Sequence, residues 1–89
     1  MVKVVFTQNL QRHVACPETI VEAASVREAL EAVFAANPRA RGYVLDDQSQ
    51  LRRHMAIFVD GRLIRDRAGL SDPVEESSTV AVFQALSGG

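Results

Sequence analysis

A single cysteine, Cys16, leaves this 89-residue chain without an internal disulfide and without the thiolate cluster that a structural zinc site needs. A reducing compartment, the cytoplasm, is therefore expected. Glycine is scarce, and its only pair is Gly88-Gly89 at the chain end, so there is no internal Gly-rich loop to cradle a phosphate. Any ATP used with this chain should be bound by a partner, and no cofactor by the chain itself. An excess of one charge sign is missing too: 10 basic against 11 acidic residues give a formal net charge of -1. No overall field exists to hold a nucleic-acid backbone or an anionic membrane. Long apolar runs are also lacking, since Val2-Lys3-Val4-Val5-Phe6 turns polar at Thr7, too early for a signal peptide or a membrane span. His13 and His54 have no cysteine or histidine at metal-ligand spacing, so no metal site is expected.

What is present is a core. The 47% apolar content is what one packed domain needs, and 24% charged residues keep its surface in water. Val2, Val4 and Phe6 alternate with Lys3 and Val5, the period-two signature of a strand with one buried face. A second extended stretch is expected at Val14-Ala15 and at 19–21, interrupted by Pro17. Ser25 followed three residues later by Glu28 is a capping box, and Val26, Ala29, Leu30, Val33 and Phe34 recur at helical spacing behind it until Asn37-Pro38. The span 39–53 reads as a loop with one short helical turn. Met55, Ile57 and Val59 then alternate with Ala56 and Phe58, Asp60-Gly61 marks a tight turn, and Leu63-Ile64 restarts the extended chain. A last strand is expected over 79–86, with Val80 and Val82 facing one way and Ala81 and Phe83 the other.

This order predicts an α+β fold, a ubiquitin-like β-grasp with a mixed four- to five-stranded sheet and one main helix packed across it. Residues 1–86 would form the domain and 87–89 a flexible tail. In a β-grasp the first and last strands lie side by side in the middle, so the last strand would project Leu86-Ser87-Gly88-Gly89 outwards. An isolated terminal Gly-Gly is by itself most often a frayed end or a tag remnant. Directly after a final β-grasp strand, with no spacer, it is a candidate reactive group. A free carboxylate is a poor electrophile and must be activated, for instance as an acyl-adenylate. Glycine lacks a Cβ and so lets the chain end thread a narrow channel and lie against a phosphate. After activation, Gly89 could accept sulfur as a thiocarboxylate or an amine as an isopeptide bond; Gly88, Ser87 and Leu86 would serve threading.

Val2 to Phe6, the helix start Ser25-Val26-Arg27-Glu28-Ala29-Leu30, the hairpin entry Met55-Ala56-Ile57-Phe58-Val59-Asp60-Gly61 and the ending Val80 to Gly89 together resemble the small ubiquitin-like sulfur carriers. These include the molybdopterin synthase small subunit, the thiamine thiazole carrier and the carrier of a thiocarboxylate cysteine pathway. Leu51-Arg52-Arg53-His54 after a long excursion looks closest to the last of these. Where the family usually has a Gly-Asp turn before its final strand this chain has Glu75-Glu76-Ser77-Ser78-Thr79, and it has Gln84-Ala85 where molybdopterin-type carriers often have two prolines. The resemblance implies a co-substrate, not an enzyme. Its partners would be a ubiquitin-activating-enzyme-like adenylyltransferase, a sulfur-accepting biosynthetic enzyme, and a metalloprotease or sulfurtransferase. The alternatives are a protein modifier conjugated through Gly89, a non-covalent binding module, or a small subunit of a sulfur-transferring enzyme.

If one face of the sheet takes the helix, then Val5, Phe58, Ala81 and Phe83 share the other, and a docking patch centred on Phe58 and Phe83 is expected unless 39–53 folds over it. Arg52, Arg53 and His54 could ring that patch and select an acidic partner, although such a run is more often a solvated edge. Cys16, between Ala15 and Pro17, reads as a small incidental side chain rather than a relay. Asp46-Asp47 and Glu75-Glu76 read as solvated turns, not as catalytic pairs.

Overall fold

The computed structural model describes residues 1–7 and 18–84. Among the described residues five strands form one mixed sheet: β1 (Val2–Phe6), β2 (Thr19–Val21), β3 (Met55–Val59), β4 (Arg62–Leu63) and β5 (Thr79–Gln84), in the spatial order β2-β1-β5-β3-β4. β1 and β5 run parallel, with Val4 opposite Val80 and Phe6 opposite Val82, and every other pairing is antiparallel. The period-two alternation read in β1 and β5 therefore places Val2, Val4, Val80 and Val82, all 0% exposed, on one face. This is the expected β-grasp, with the first and last strands adjacent in the body of the sheet. Val14 to Pro17, where an extension of the second strand was expected, lie outside the described residues.

Helix α1 (Val26–Ala36) lies across that inner face and buries Val26, Ala29, Leu30, Val33 and Phe34, the stripe read from the sequence. Its start is the expected capping box. Ser25 Oγ accepts from the Glu28 amide at 3.2 Å, while the Glu28 carboxylate reaches back one residue beyond the cap, to the Ala24 amide at 2.9 Å. Arg27 fixes the entry of the helix to two loops: its Nε donates to the Gly69 carbonyl at 2.7 Å and its Nη2 to the Ser49 carbonyl at 3.0 Å.

The span 39–53 departs from the expectation of a loop with one turn. It begins as a second helix, α2 (Pro38–Val44), which buries Ala40 and Val44. Two apolar positions in seven residues are too few to display a helical period, and Pro38, read as the end of α1, serves also as a helix-compatible first-turn residue of α2. Beyond it Leu45 and Leu51 pair across an isolated bridge and enter the core. Asp46 shapes the turn between them by accepting from the Gln48 and Gln50 amides at 2.8 and 3.0 Å. The whole excursion thus packs on the helix side of the sheet.

Aspartates also shape the other connections. Asp60 and Gly61 take φ of 50° and 84°, a tight hairpin turn in which glycine carries the larger positive angle at no steric cost. The Asp60 carboxylate accepts from the Thr79 amide at 2.9 Å and from Ser78 Oγ at 2.9 Å, while Ser78 Oγ accepts in turn from the Glu75 amide. Side chains therefore close the turn before β5 in the Glu75-Glu76-Ser77-Ser78-Thr79 stretch, which has no Gly-Asp pair. Asp66 accepts from the Gly69 amide and from Ser71 Oγ at 2.8 and 2.6 Å, and a Cβ at Gly69 would stand 2.7 Å from Asp66 Oδ2.

Two outcomes test this scaffold. Ser78 is 3% exposed and its hydroxyl serves two partners, so Ser78→Ala should cost about 1–3 kcal/mol in chemical denaturation. An unchanged midpoint would remove Ser78 from the account of the β5 turn. Asp60 is held below the usual carboxylate range by the Thr79 amide first and the Ser78 hydroxyl second, and Asp66 by the Ser71 hydroxyl and then the Gly69 amide. Both carboxyls bind protons more weakly folded than unfolded. Their contribution is therefore complete above the ordinary aspartate value of about 4 and is lost as pH falls through the lowered folded values. Asp60→Asn and Asp66→Asn should be less stable than the parent at pH 7, with the difference shrinking towards pH 2; a constant difference across that range would contradict this linkage.

Candidate functional site

The face of the sheet turned away from α1 is built by register. Val5 lies opposite Ala81, Ala81 opposite Phe58, and Phe58 opposite Leu63, so one row of apolar side chains crosses four strands. The next row towards the end of β5 holds Ala56 opposite Phe83. The two phenylalanine rings meet edge to face with centroids 5.4 Å apart and planes at 76°. Phe58 is half-buried, and Phe83 remains 42% exposed. Because Ala40, Val44, Leu45 and Leu51 belong to the core on the helix side, the 39–53 excursion does not cover this pair. Among the described residues the face is open, and all four expected members, Val5, Phe58, Ala81 and Phe83, share it.

Sequence reasoning missed two further members. Leu63 and Ile20 are 57% and 59% exposed at the two edges of the sheet, Leu63 paired with Phe58 and Ile20 paired with Lys3. They occupy strands of two and three residues, too short for alternation to reveal a face. The signal lay instead in the Asp60-Gly61 turn, which fixes hairpin register and hence the partner of Phe58.

The basic run divides. Arg52 is half-buried and structural: its Nε donates to the Gly42 carbonyl at 2.8 Å and its amide to the Val44 carbonyl at 3.0 Å, tying the 45–54 segment to α2. Arg53 and His54 are exposed. Met55 lies opposite Gln84, so this run adjoins the last described residue of β5. Leu86, Ser87, Gly88 and Gly89 lie outside the described residues, as do His13 and Cys16. A cleft of about 360 Å³ on the opposite flank is lined by Val59, Arg62, Leu63, Arg65, Asp72 and Pro73. The Asp72 carboxylate there is occupied by the Arg65 and Asp66 amides. Among the described residues no three His, Cys, Asp or Glu side chains are grouped to hold a metal ion, and no helix is long and apolar enough to cross a membrane.

Comparison with known proteins bears on this geometry. No curated protein matches the sequence significantly. Among solved structures, the small archaeal modifier protein SAMP1 of Haloferax volcanii superposes with a TM-score of 0.82 at 22% identity, over 99% of this chain and 98% of its own. SAMP1 of Methanosarcina acetivorans gives 0.78 at 24% identity over 99% and 95%. A chain of the BexX/CysO complex of Amycolatopsis orientalis gives 0.77 at 25% identity over 100% of both chains. These likenesses place the chain in the ubiquitin-like β-grasp fold. The sequence model of the ThiS family matches residues 6–89, from the end of β1 through the Gly-Gly pair, and the protein belongs to the ThiS family of small ubiquitin-like sulfur carriers and modifiers.

Proposed function

We propose that this protein carries sulfur on Gly89. The observation that supports the reading most directly is the position of β5, paired with β1 as far as Val82 and with β3 as far as Gln84, five residues before Gly89, within a family match that runs to Gly89 itself. At full extension five residues reach at most about 17 Å. That is enough to carry a carboxylate away from a rigid domain while the domain is held elsewhere.

The chemistry follows from the carboxylate. One of its oxygens attacks the α-phosphorus of ATP bound by an adenylyltransferase, pyrophosphate leaves, and Gly89 becomes an acyl-adenylate. A sulfide or persulfide sulfur then attacks the carbonyl carbon and AMP leaves; with a persulfide the product is an acyl disulfide, whose S–S bond a thiol cleaves by exchange, leaving the thiocarboxylate and a new disulfide. A sulfur-accepting biosynthetic enzyme draws on that thiocarboxylate. The protein is a co-substrate in this scheme and binds no cofactor of its own. Gly88, Ser87 and Leu86 serve threading, and the face of Val5, Phe58, Ala81 and Phe83, widened by Leu63, docks the adenylyltransferase. That one of the similar solved chains was captured in a two-protein complex is consistent with a carrier that works while held by a partner.

The carrier reading is tested by intact mass after incubation with ATP, a sulfide source and native extract. The expected product is heavier by the exchange of one oxygen for sulfur, located at Gly89 and absent when Gly88 and Gly89 are deleted. A ladder of larger adducts joined through Gly89 to lysines would instead make it a modifier, as the SAMP1 proteins are named. Gly88→Val adds a branched side chain where the channel must be narrow, so kcat/KM for activation should fall on the order of a hundredfold while the thermal midpoint stays put. Normal activation of that variant would count against threading.

Docking gives a separate outcome. Phe83 is partly exposed, so Phe83→Ser should leave the fold intact, raise KM for the carrier roughly tenfold or more, and change kcat little. Unaltered kinetics would exclude this face from the complex.

A further inference from the structure

Among the described residues β4 is an edge strand, with β3 on one side and no strand on the other. Its register decides which backbone groups are left over. Val59 pairs with Arg62 and Phe58 with Leu63, and the Ile64 amide donates to the Ile57 carbonyl at 3.0 Å. Bonded and non-bonded pairs alternate along an antiparallel ladder, so Leu63 turns its N–H and C=O away from β3. The next outward amide, that of Arg65, donates to the Asp72 carboxylate at 3.0 Å, and the Asp66 amide joins it at 2.9 Å. A carboxylate thus caps the edge one step beyond Leu63. The same edge walls a groove: the cleft of about 360 Å³ beside Leu63 and Arg65 continues into a second hollow of about 230 Å³ that shares Val59, Arg62 and Pro73. Arg62 and Arg65 are both exposed. Among the described residues neither guanidinium donates a hydrogen bond or stands in a salt bridge. Asp60, at the far end of the groove, engages the Thr79 amide and the Ser78 hydroxyl, with Arg62 only a lesser charge at longer range.

We propose that an acidic, extended segment of a partner protein adds beside β4 as a further strand, pairing with the Leu63 backbone and placing a carboxylate between Arg62 and Arg65. The open N–H and C=O of one edge residue exchange two hydrogen bonds with one residue of an incoming strand, which selects an extended chain. The two arginines select its charge, and the Asp72 carboxylate on the neighbouring amides shows that this edge accepts an anionic oxygen. A second copy of β4 would instead bring its own Arg62 and Arg65 against the first pair, and like charges facing each other across a ladder repel. Asp60 and Glu75 line the far hollow, so the partner's carboxylate belongs at the Arg65 end. Asp72 also limits the addition, because it already holds the amides that follow. The contact is therefore short and suits a partner that rests on the outer face as well, where Leu63 lies beside Phe58. It does not depend on activation of Gly89.

The test titrates the isotope-labelled full chain with a blocked hexapeptide of alternating glutamate and valine at neutral pH and low salt, following the backbone amide resonances. Two control peptides separate charge from pairing: one with lysine in place of glutamate, and one with every backbone nitrogen methylated, which keeps the carboxylates but cannot form a ladder. The glutamate peptide should shift the Leu63 amide saturably, and both controls should bind at least roughly tenfold more weakly. Arg62→Glu and Arg65→Glu should each weaken the glutamate peptide by a similar factor. Both side chains are exposed and hold no other part of the described structure, so the sheet should survive either change. Arg53→Glu should leave binding unaltered, because Arg53 precedes β3 at the end of that strand away from β4. Equal binding of the lysine or methylated peptide, indifference to Arg62→Glu and Arg65→Glu, or shifts confined to the Phe58 and Phe83 side of the sheet with Leu63 unmoved would overturn the proposal.

Discussion

The parallel pairing of β1 with β5 is the constraint on which the rest of the molecule depends. It joins the first strand of the chain to the last in the body of the sheet, and it gives both their buried valines. β5 pairs with β1 as far as Val82 on one side and with β3 as far as Gln84 on the other. A strand held this way is a rigid anchor. Residues on its outer side are presented at fixed spacing by the pairing on either side.

Aspartate carboxylates set the connections around that anchor. Asp46, Asp60, Asp66 and Asp72 each accept two or more hydrogen bonds from backbone amides or nearby hydroxyls. Glycine-rich turns reach the same shapes by tolerating unusual angles, whereas here a charged acceptor gathers donors around itself. Asp60 is the most consequential of the four, because it sits in the β3–β4 turn yet holds the first residue of β5. The hairpin and the central strand are thereby locked in register, and the row from Val5 to Leu63 is aligned as a result.

Much of this was legible in the residues. Alternation in β1 and β5, the Ser25 and Glu28 pair and the five-residue stripe of α1 each reported local physics that the tertiary structure left in place. The outer face was legible as well, since strands with one buried side must show the other. What escaped was set at longer range. Helix α2 is too short for a period and is held by burial of Ala40 and Val44 and by the Arg52 bond to Gly42. Leu63 and Ile20 gained their place from register alone, and Arg52 looked like a surface charge although it is a tie between segments. Gln84 marks where the described strand ends, and Gly88 and Gly89 are read from the sequence alone.

The central pairing also bears on how the protein is made. β1 begins at Val2 and β5 at Thr79, so the contact that completes the sheet spans almost the whole chain and carries the full loop-closure entropy of that separation. During synthesis the first strand is exposed long before its neighbour exists, and Val2 and Val4 have no permanent cover until the last strand arrives. A truncated or nascent chain therefore lacks the aligned outer face. Completion of the sheet and presentation of its outer face become one event.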